Sequence, residues 1–167
     1  MRPEGIGVLQ LTVDREIDAE LADTVSRYSA SCPAHSIEIA VDTEGGDWAS
    51  SLAIFSSLKN HGRRVTARIQ RASSGGALII MAADVRILDP SGHIFLHMPS
   101  GPYPAAALDE IADKKAMLMA ARCRVPADRI RRWMTQNTTI RAERALQIGL
   151  VDEVPGRTKP KQRTVFL

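Results

Sequence analysis

Cysteine, aromatic residues and long apolar runs are all scarce in this chain. Cys32 and Cys123 are its two cysteines. Two thiols make neither a zinc-ligand spacing nor a disulfide framework, so reduced cysteines, a cytoplasmic setting and no metal are expected. Aromatics are 4% of the 167 residues, too sparse for the stacking platforms that hold single-stranded nucleic acid. The longest uninterrupted apolar run, Ala77 to Ala83, is far too short to cross a bilayer. Met1-Arg2-Pro3-Glu4-Gly5 does not open like a secretory signal peptide. There is no Gly-x-x-x-x-Gly-Lys-Ser/Thr loop, so ATP, if used, would belong to a partner. Charge is nearly balanced, at +3. The excess is local: Arg129, Arg131 and Arg132, then Arg157, Lys159, Lys161 and Arg163. These read as a solvated helix face and a soluble tail, since basic runs are weak nucleic-acid signals.

What is present is an alternation of strand and helix patterns. Val8 to Val13 reads as a strand, and Ile17, Leu21, Val25 and Tyr28 then recur at helical spacing. Ile37, Ile39 and Val41 alternate, predicting a strand over Ser36 to Asp42 that Gly45-Gly46 breaks. Leu52, Phe55 and Leu58 mark a helix that Gly62 ends. Val65, Ala67 and Ile69 alternate again. Gly75 to Ala83 is apolar on every side and predicts a buried helix. Val85–Leu88 and Ile94–His97 read as two further strands, turned by Pro90-Ser91-Gly92. Helices are expected over Pro104 to Arg124, after Pro126, and over Glu143 to Ile148, stopped by Gly149. A last strand is expected over Leu150 to Val154. This is an α/β chain of βαβ units, with a largely parallel sheet and a helical second half. One domain over residues 1–155 is expected, with a basic, mobile tail over 156–167.

Three segments carry chemistry. Arg71-Ala72-Ser73-Ser74-Gly75-Gly76-Ala77 sets a serine at a strand-to-helix turn, where free helix N–H groups favour developing negative charge. Ser74 is the candidate nucleophile; the plainer alternative is that Ser73 or Ser74 merely caps the helix. His97 ends a strand and is the candidate general base, against a purely structural histidine. Asp42-Thr43-Glu44-Gly45-Gly46 supplies a glycine turn that is either only a turn or a backbone donor for an oxyanion.

These segments resemble the Clp protease proteolytic subunit family, within the crotonase-like superfamily, and especially its relatives among phage head-maturation proteases. Thr43-Glu44-Gly45-Gly46 is similar to the family's Ser-Pro-Gly-Gly turn, and Ala72-Ser73-Ser74-Gly75-Gly76 to its Ala-Ala-Ser nucleophile segment. His97-Met98-Pro99 matches its His-x-Pro, and Ala145 to Asp152 its closing Ala-x-x-x-Gly-Leu-x-Asp. The resemblance implies a serine endopeptidase that works through an acyl-enzyme, without cofactor. Ser74 would be the nucleophile and His97 the base. The N–H groups of Gly46 and Gly75 would form the oxyanion hole. The backbone around Asp47, Pro99 and Ser100 would pair with an extended polypeptide substrate. It also implies a ring-shaped homo-oligomer, with a partner ATPase as an open option.

The chain departs from that pattern in places. The acidic triad position falls on Asn137, an amide that can orient the histidine but cannot stabilise its cation. Asp152 belongs to the closing motif, while Asp84 and Asp89 are possible substitutes of unknown position. Gln70 stands for a glycine, Glu44 for a proline, and Arg141 for a helix-capping hydroxyl. The segment between His97 and Asn137 is shorter than in the housekeeping subunits, and the N-terminus is short for axial loops. Two further readings follow. One is a catalytically weak or inactive Clp-like subunit. The other is a crotonase-like acyl-CoA enzyme using Glu44 or Glu110 as base.

Overall fold

A computed structural model describes residues 7–157. Its centre is a five-stranded sheet in the order β1-β2-β3-β4-β5. β1 (Val8–Val13), β2 (Ser36–Thr43), β3 (Val65–Ser73) and β4 (Val85–Leu96) run parallel, and β5 (Thr138–Arg141) is antiparallel to β4. α1 (Ala19–Ser31) and α2 (Trp48–Lys59) form the first two crossovers. α3 (Gly75–Ile79), continued by a 3₁₀ turn over Ile80–Ala82, forms the third. α4 (Ala105–Ala120) and α5 (Ala127–Thr135) precede β5, and α6 (Ala142–Gln147) follows it.

Strand order follows chain order without reversal. Right-handed crossovers then place successive helices on one face of the sheet, unlike a doubly wound fold whose order switches direction. The alternation seen in the sequence shows which face that is. Ile37, Ile39, Val41 and Thr43 are buried inward, while Ala40 and Asp42 between them are exposed. α3 and its 3₁₀ extension are wholly buried, as residues apolar on all sides require.

Several boundaries differ from the sequence-based expectation. Ile17 lies before α1 and bridges to Gly46 instead of joining the helix. β4 is one strand. Both of its halves pair in parallel with β3, and Asp89 to Gly92 bulge outward opposite Gln70, where Asp89 accepts from Ser91 N–H at 2.8 Å and Ser91 Oγ–H at 2.6 Å. β5 was hidden in the sequence. The segment 150–154 is not a strand but a single bridge, Glu153 to Ile87. α4 is shorter than Pro104–Arg124. Pro126 sits just outside α5, as its cap residue.

The closing segment is held electrostatically. Arg86, 4% exposed, donates from Nε to Asp152 Oδ2 at 2.8 Å and from Nη2 to Oδ1 at 3.1 Å. Its remaining donor, Nη1, meets Arg122 O at 3.0 Å. This bidentate pair gives Asp152 a structural role. Asp84 is placed likewise, accepting the Val65 N–H at 2.8 Å where β3 begins. Residues 158–167, most of the expected tail, lie outside the described residues. No helix among the described residues is long and apolar enough to cross a membrane.

Candidate active site

The C-terminal ends of β2, β3 and β4 open onto a cavity of about 630 Å³. Parallel sheets collect sites at this end because loops and helix N-termini converge there. Ser74, His97, Gly46 and Gly75 all line it, as do Asp47, Pro99 and Ser100. Of the expected site residues, Asn137 alone does not line the cavity.

Ser74 joins β3 to α3 with φ 49 and ψ −113. A non-glycine residue at positive φ is uncommon and costs energy. Here the turn lifts the serine out of the strand at the mouth of a buried helix, as a nucleophile elbow does. Its N–H is anchored to Phe95 O at 3.0 Å, but its hydroxyl makes no capping bond. The capping alternative is therefore not what this serine does in the structure. Gly75, the first residue of α3, keeps the unpaired N–H of a helix start.

The glycine turn packs directly on this elbow. Gly45 has φ +103, and a Cβ there would lie 2.7 Å from Ser74 Cβ and 2.8 Å from Ser73 O, so only glycine fits. At Gly46 a Cβ would run into the Ile17 backbone. The turn is tied on both sides. Ile17 N–H donates to Gly45 O and Asp47 N–H to Ile17 O, each at 2.8 Å. Buried Thr43 accepts the Gly45 N–H at 3.0 Å and donates to Arg15 O at 2.6 Å. The Gly46 N–H stands outside these bonds.

Asp47 caps α2. Its carboxylate accepts Ser50 N–H and Ser50 Oγ–H at 2.8 Å each, and Tyr103 Oη–H at 3.3 Å. The Ser50 N–H chiefly holds its pKa below the ordinary carboxylate value. Its own N–H goes to Ile17 O, and its C=O accepts Ser51 N–H at 3.0 Å and Ser51 Oγ–H at 2.7 Å. A substrate strand would therefore find the Asp47 main chain already engaged.

His97 follows β4 and stacks, tilted, on Phe95 with ring centroids 5.6 Å apart. Its Nδ1 lies 2.7 Å from Met98 O. A carbonyl can only accept, so Nδ1 carries the proton and Nε2 is left as the basic nitrogen. Asn137 occupies the exposed turn after α5, at φ 51, a conformation asparagine tolerates. The β4–β5 ladder pairs His93 with Arg141 and so on to Leu96 with Thr138. The ladder ends there, with His97 and Asn137 just beyond its last pair. Neither Asp84 nor Asp89 lines the cavity.

Three of the charges around the rim are mutually satisfied. Arg71 bridges Asp42 at 3.0 Å and Glu44 more closely still. Glu44 is thus an ion-pair partner on the cavity rim, and Glu110 does not line the cavity. The sequence reading also overlooked Lys115 of α4. It lines the cavity while only 4% exposed, and burial lowers its pKa from 10.5 to about 8. Its signal was available, as a lysine on the helix stripe Ala112, Lys115, Ala116 and Met119, all of them buried. Among the described residues no three His, Cys, Asp or Glu side chains cluster to hold a metal ion.

The sequence model of the Clp protease family matches residues 4–158. The chain belongs to the Clp protease family. Solved Clp protease structures share its fold at low identity. ClpP1 from Listeria monocytogenes aligns with a TM-score of 0.82 and 21% identity, covering 89% of this chain and 92% of that one. An asparagine-to-aspartate mutant of that ClpP1 aligns at 0.81 and 21%, covering 87% and 90%. The mixed α/β architecture with a mostly parallel sheet is the ClpP fold, and the serine elbow, glycine turn and terminal histidine of this Clp protease family member converge at one end of it.

Proposed function

We propose that this Clp family member is a serine endopeptidase with Ser74 as nucleophile and His97 as general base. The observation that carries the reading is the strained Ser74 elbow, its hydroxyl uncommitted, in one cavity with His97. Ser74 Oγ attacks the scissile carbonyl carbon while His97 Nε2 takes the hydroxyl proton. The oxyanion is received by the N–H groups of Gly46 and Gly75. The C–N bond then breaks, and His97 returns the proton to the leaving amine. Water repeats the sequence on the acyl-enzyme and frees Ser74. Pro99, Ser100 and the glycine turn flank an extended substrate, bound without metal or organic cofactor.

Asn137 is the third member in this reading. It takes the place of Met98 O as acceptor for Nδ1–H, and it lies in the turn that leads into β5, the strand paired with the end of β4. A ring-shaped homo-oligomer is part of the same proposal, as family membership suggests, with an ATPase partner optional. Membranes and nucleic acids have no part in it, and the cytoplasm is the setting proposed. The test is fluorophosphonate labelling followed by intact mass. One adduct that disappears in Ser74→Ala and in His97→Ala is expected. A folded protein that never reacts would overturn the reading.

One observation favours a second reading, a weak or silent subunit: His97 Nδ1 is held by its neighbour's carbonyl and not by the Asn137 side chain. An amide in place of an acid can cost on the order of 10⁴ in rate in a serine triad. If wild type is inert while Asn137→Asp labels, this second reading replaces the first.

A further inference from the structure

Lys115 is the one buried charged side chain that lines the active-site cavity, and among the described residues no group pairs with it. Its neighbours on the α4 stripe are Ala112, Ala116 and Met119, none of which carries a counter-charge. The carboxylates that border the cavity are committed elsewhere or exposed. Asp42 and Glu44 are paired with Arg71, Asp47 caps α2, and Asp14 and Glu16 stand in solvent on the rim. On α4 itself, Asp109 and Asp113 are taken by Arg131 at 2.7 and 2.8 Å. Burial lowers the pKa of the Lys115 amine.

A buried ammonium without a counter-charge is costly. An apolar residue at 115 would serve packing better, because the stripe around it is apolar. A counter-charge for the ammonium can come from something that enters the cavity. We propose that Lys115 forms a carboxylate-binding subsite beside Ser74, which selects substrates carrying an acidic group near the bond to be cleaved. The subsite rests on the peptidase reading for its use, but not for its existence. The carboxylate has two possible sources, an Asp or Glu side chain within the substrate or the free C-terminus of a chain.

The test uses the full-length protein and internally quenched peptides in which each position around the scissile bond carries Glu or, in its matched twin, Gln. A second pair ends in a free acid or an amide. Wild type is expected to favour Glu over Gln by about tenfold or more in kcat/KM at one position, or the free acid over the amide. The first result assigns a side-chain carboxylate and the second a chain terminus. In Lys115→Met, of similar length and no charge, that ratio falls to about one. Equal cleavage of every pair by wild type overturns the subsite. A folded Lys115→Met that no longer takes a fluorophosphonate at Ser74 also overturns it, since Lys115 would then serve the nucleophile itself. The Ser74→Ala protein gives a reading independent of turnover, by anisotropy of labelled Glu and Gln peptides. If wild type proves inert, tighter binding of the Glu peptide that is lost in the Ser74→Ala, Lys115→Met double variant keeps the subsite and discards only the peptidase. Equal binding discards the subsite.

Discussion

Arg86 and Lys115 are hidden to the same degree, each 4% exposed, yet the fold treats them in opposite ways. Arg86 stands beside the closing segment with its guanidinium bonded to Asp152, the Arg122 carbonyl and Met81 Sδ. Lys115 stands at the site end with no partner among the described residues and a lowered pKa. A buried cation that completes its own pairing is architecture. One left unpaired at a cavity wall is a cost to stability with no structural return, which is what functional groups characteristically carry. Removing a partner from the first and the charge from the second should move stability in opposite directions.

The largest effect belongs to Arg86. Asp152→Ala leaves its guanidinium buried and uncompensated, a loss of about 3–5 kcal/mol, read as a fall in the urea midpoint. An apolar double replacement, Arg86→Met with Asp152→Leu, should recover most of it. If Asp152→Ala costs less than about 1 kcal/mol, Arg86 is hydrated in solution and the contrast with Lys115 collapses.

Lys115→Met should stabilise the protein at neutral pH, and the gain should vanish in alkali. The folded-state pKa of about 8 lies below the usual 10.5. Between these values the unfolded chain keeps a proton that the folded one has released, so wild-type stability from this group rises with pH through that window. Below it both states are charged and the burial penalty is fully present. The penalty is on the order of 3 kcal/mol. The other titratable groups of the cavity are common to wild type and variant and cancel in their difference. Denaturant midpoints at pH 7 and pH 10 measure it. A difference between the two proteins that stays flat across that range would mean that Lys115 is not desolvated.

The same contrast explains what could be read from the chain before its structure. The inward residues of β1 to β3 were legible because each strand has one apolar and one polar face, and the serine elbow because a buried apolar helix follows at once. β5 escaped because Thr138-Thr139-Ile140-Arg141 offers a single inward side chain, Ile140. The continuity of β4 escaped because Pro90-Ser91-Gly92 has turn composition, while the pairing with β3 on either side overrides it. Lys115 escaped because a lysine in an amphipathic helix is read as solvent-facing. The true stripe is Ala112, Lys115, Ala116 and Met119, whereas Leu108, Ile111 and Leu118, which looked like core, are only half-buried. Helix rotation is set by what packs against it, here α5 through Arg131, and small residues win the inner face. The place of Asn137, just beyond the last β4–β5 pair, depends on a strand register that no local pattern encodes.

The smallest effects on stability separate two residues that hold the same formal position. Asp47 and Ser74 both stand at helix N-caps, but Asp47 accepts the Ser50 N–H and Ser74 accepts nothing. Asp47→Ala removes a working cap and should cost about 1 kcal/mol. In the wild type that share is present above the ordinary carboxylate pKa and is lost as pH falls through the depressed one. Ser74→Ala removes no hydrogen bond and leaves the backbone in the same strained turn, so its midpoint should stay within about 0.5 kcal/mol of wild type while labelling is lost. A Ser74→Ala loss as large as that of Asp47→Ala would return Ser74 to the role of an ordinary cap, and the strain at φ 49 would then have no chemical purpose.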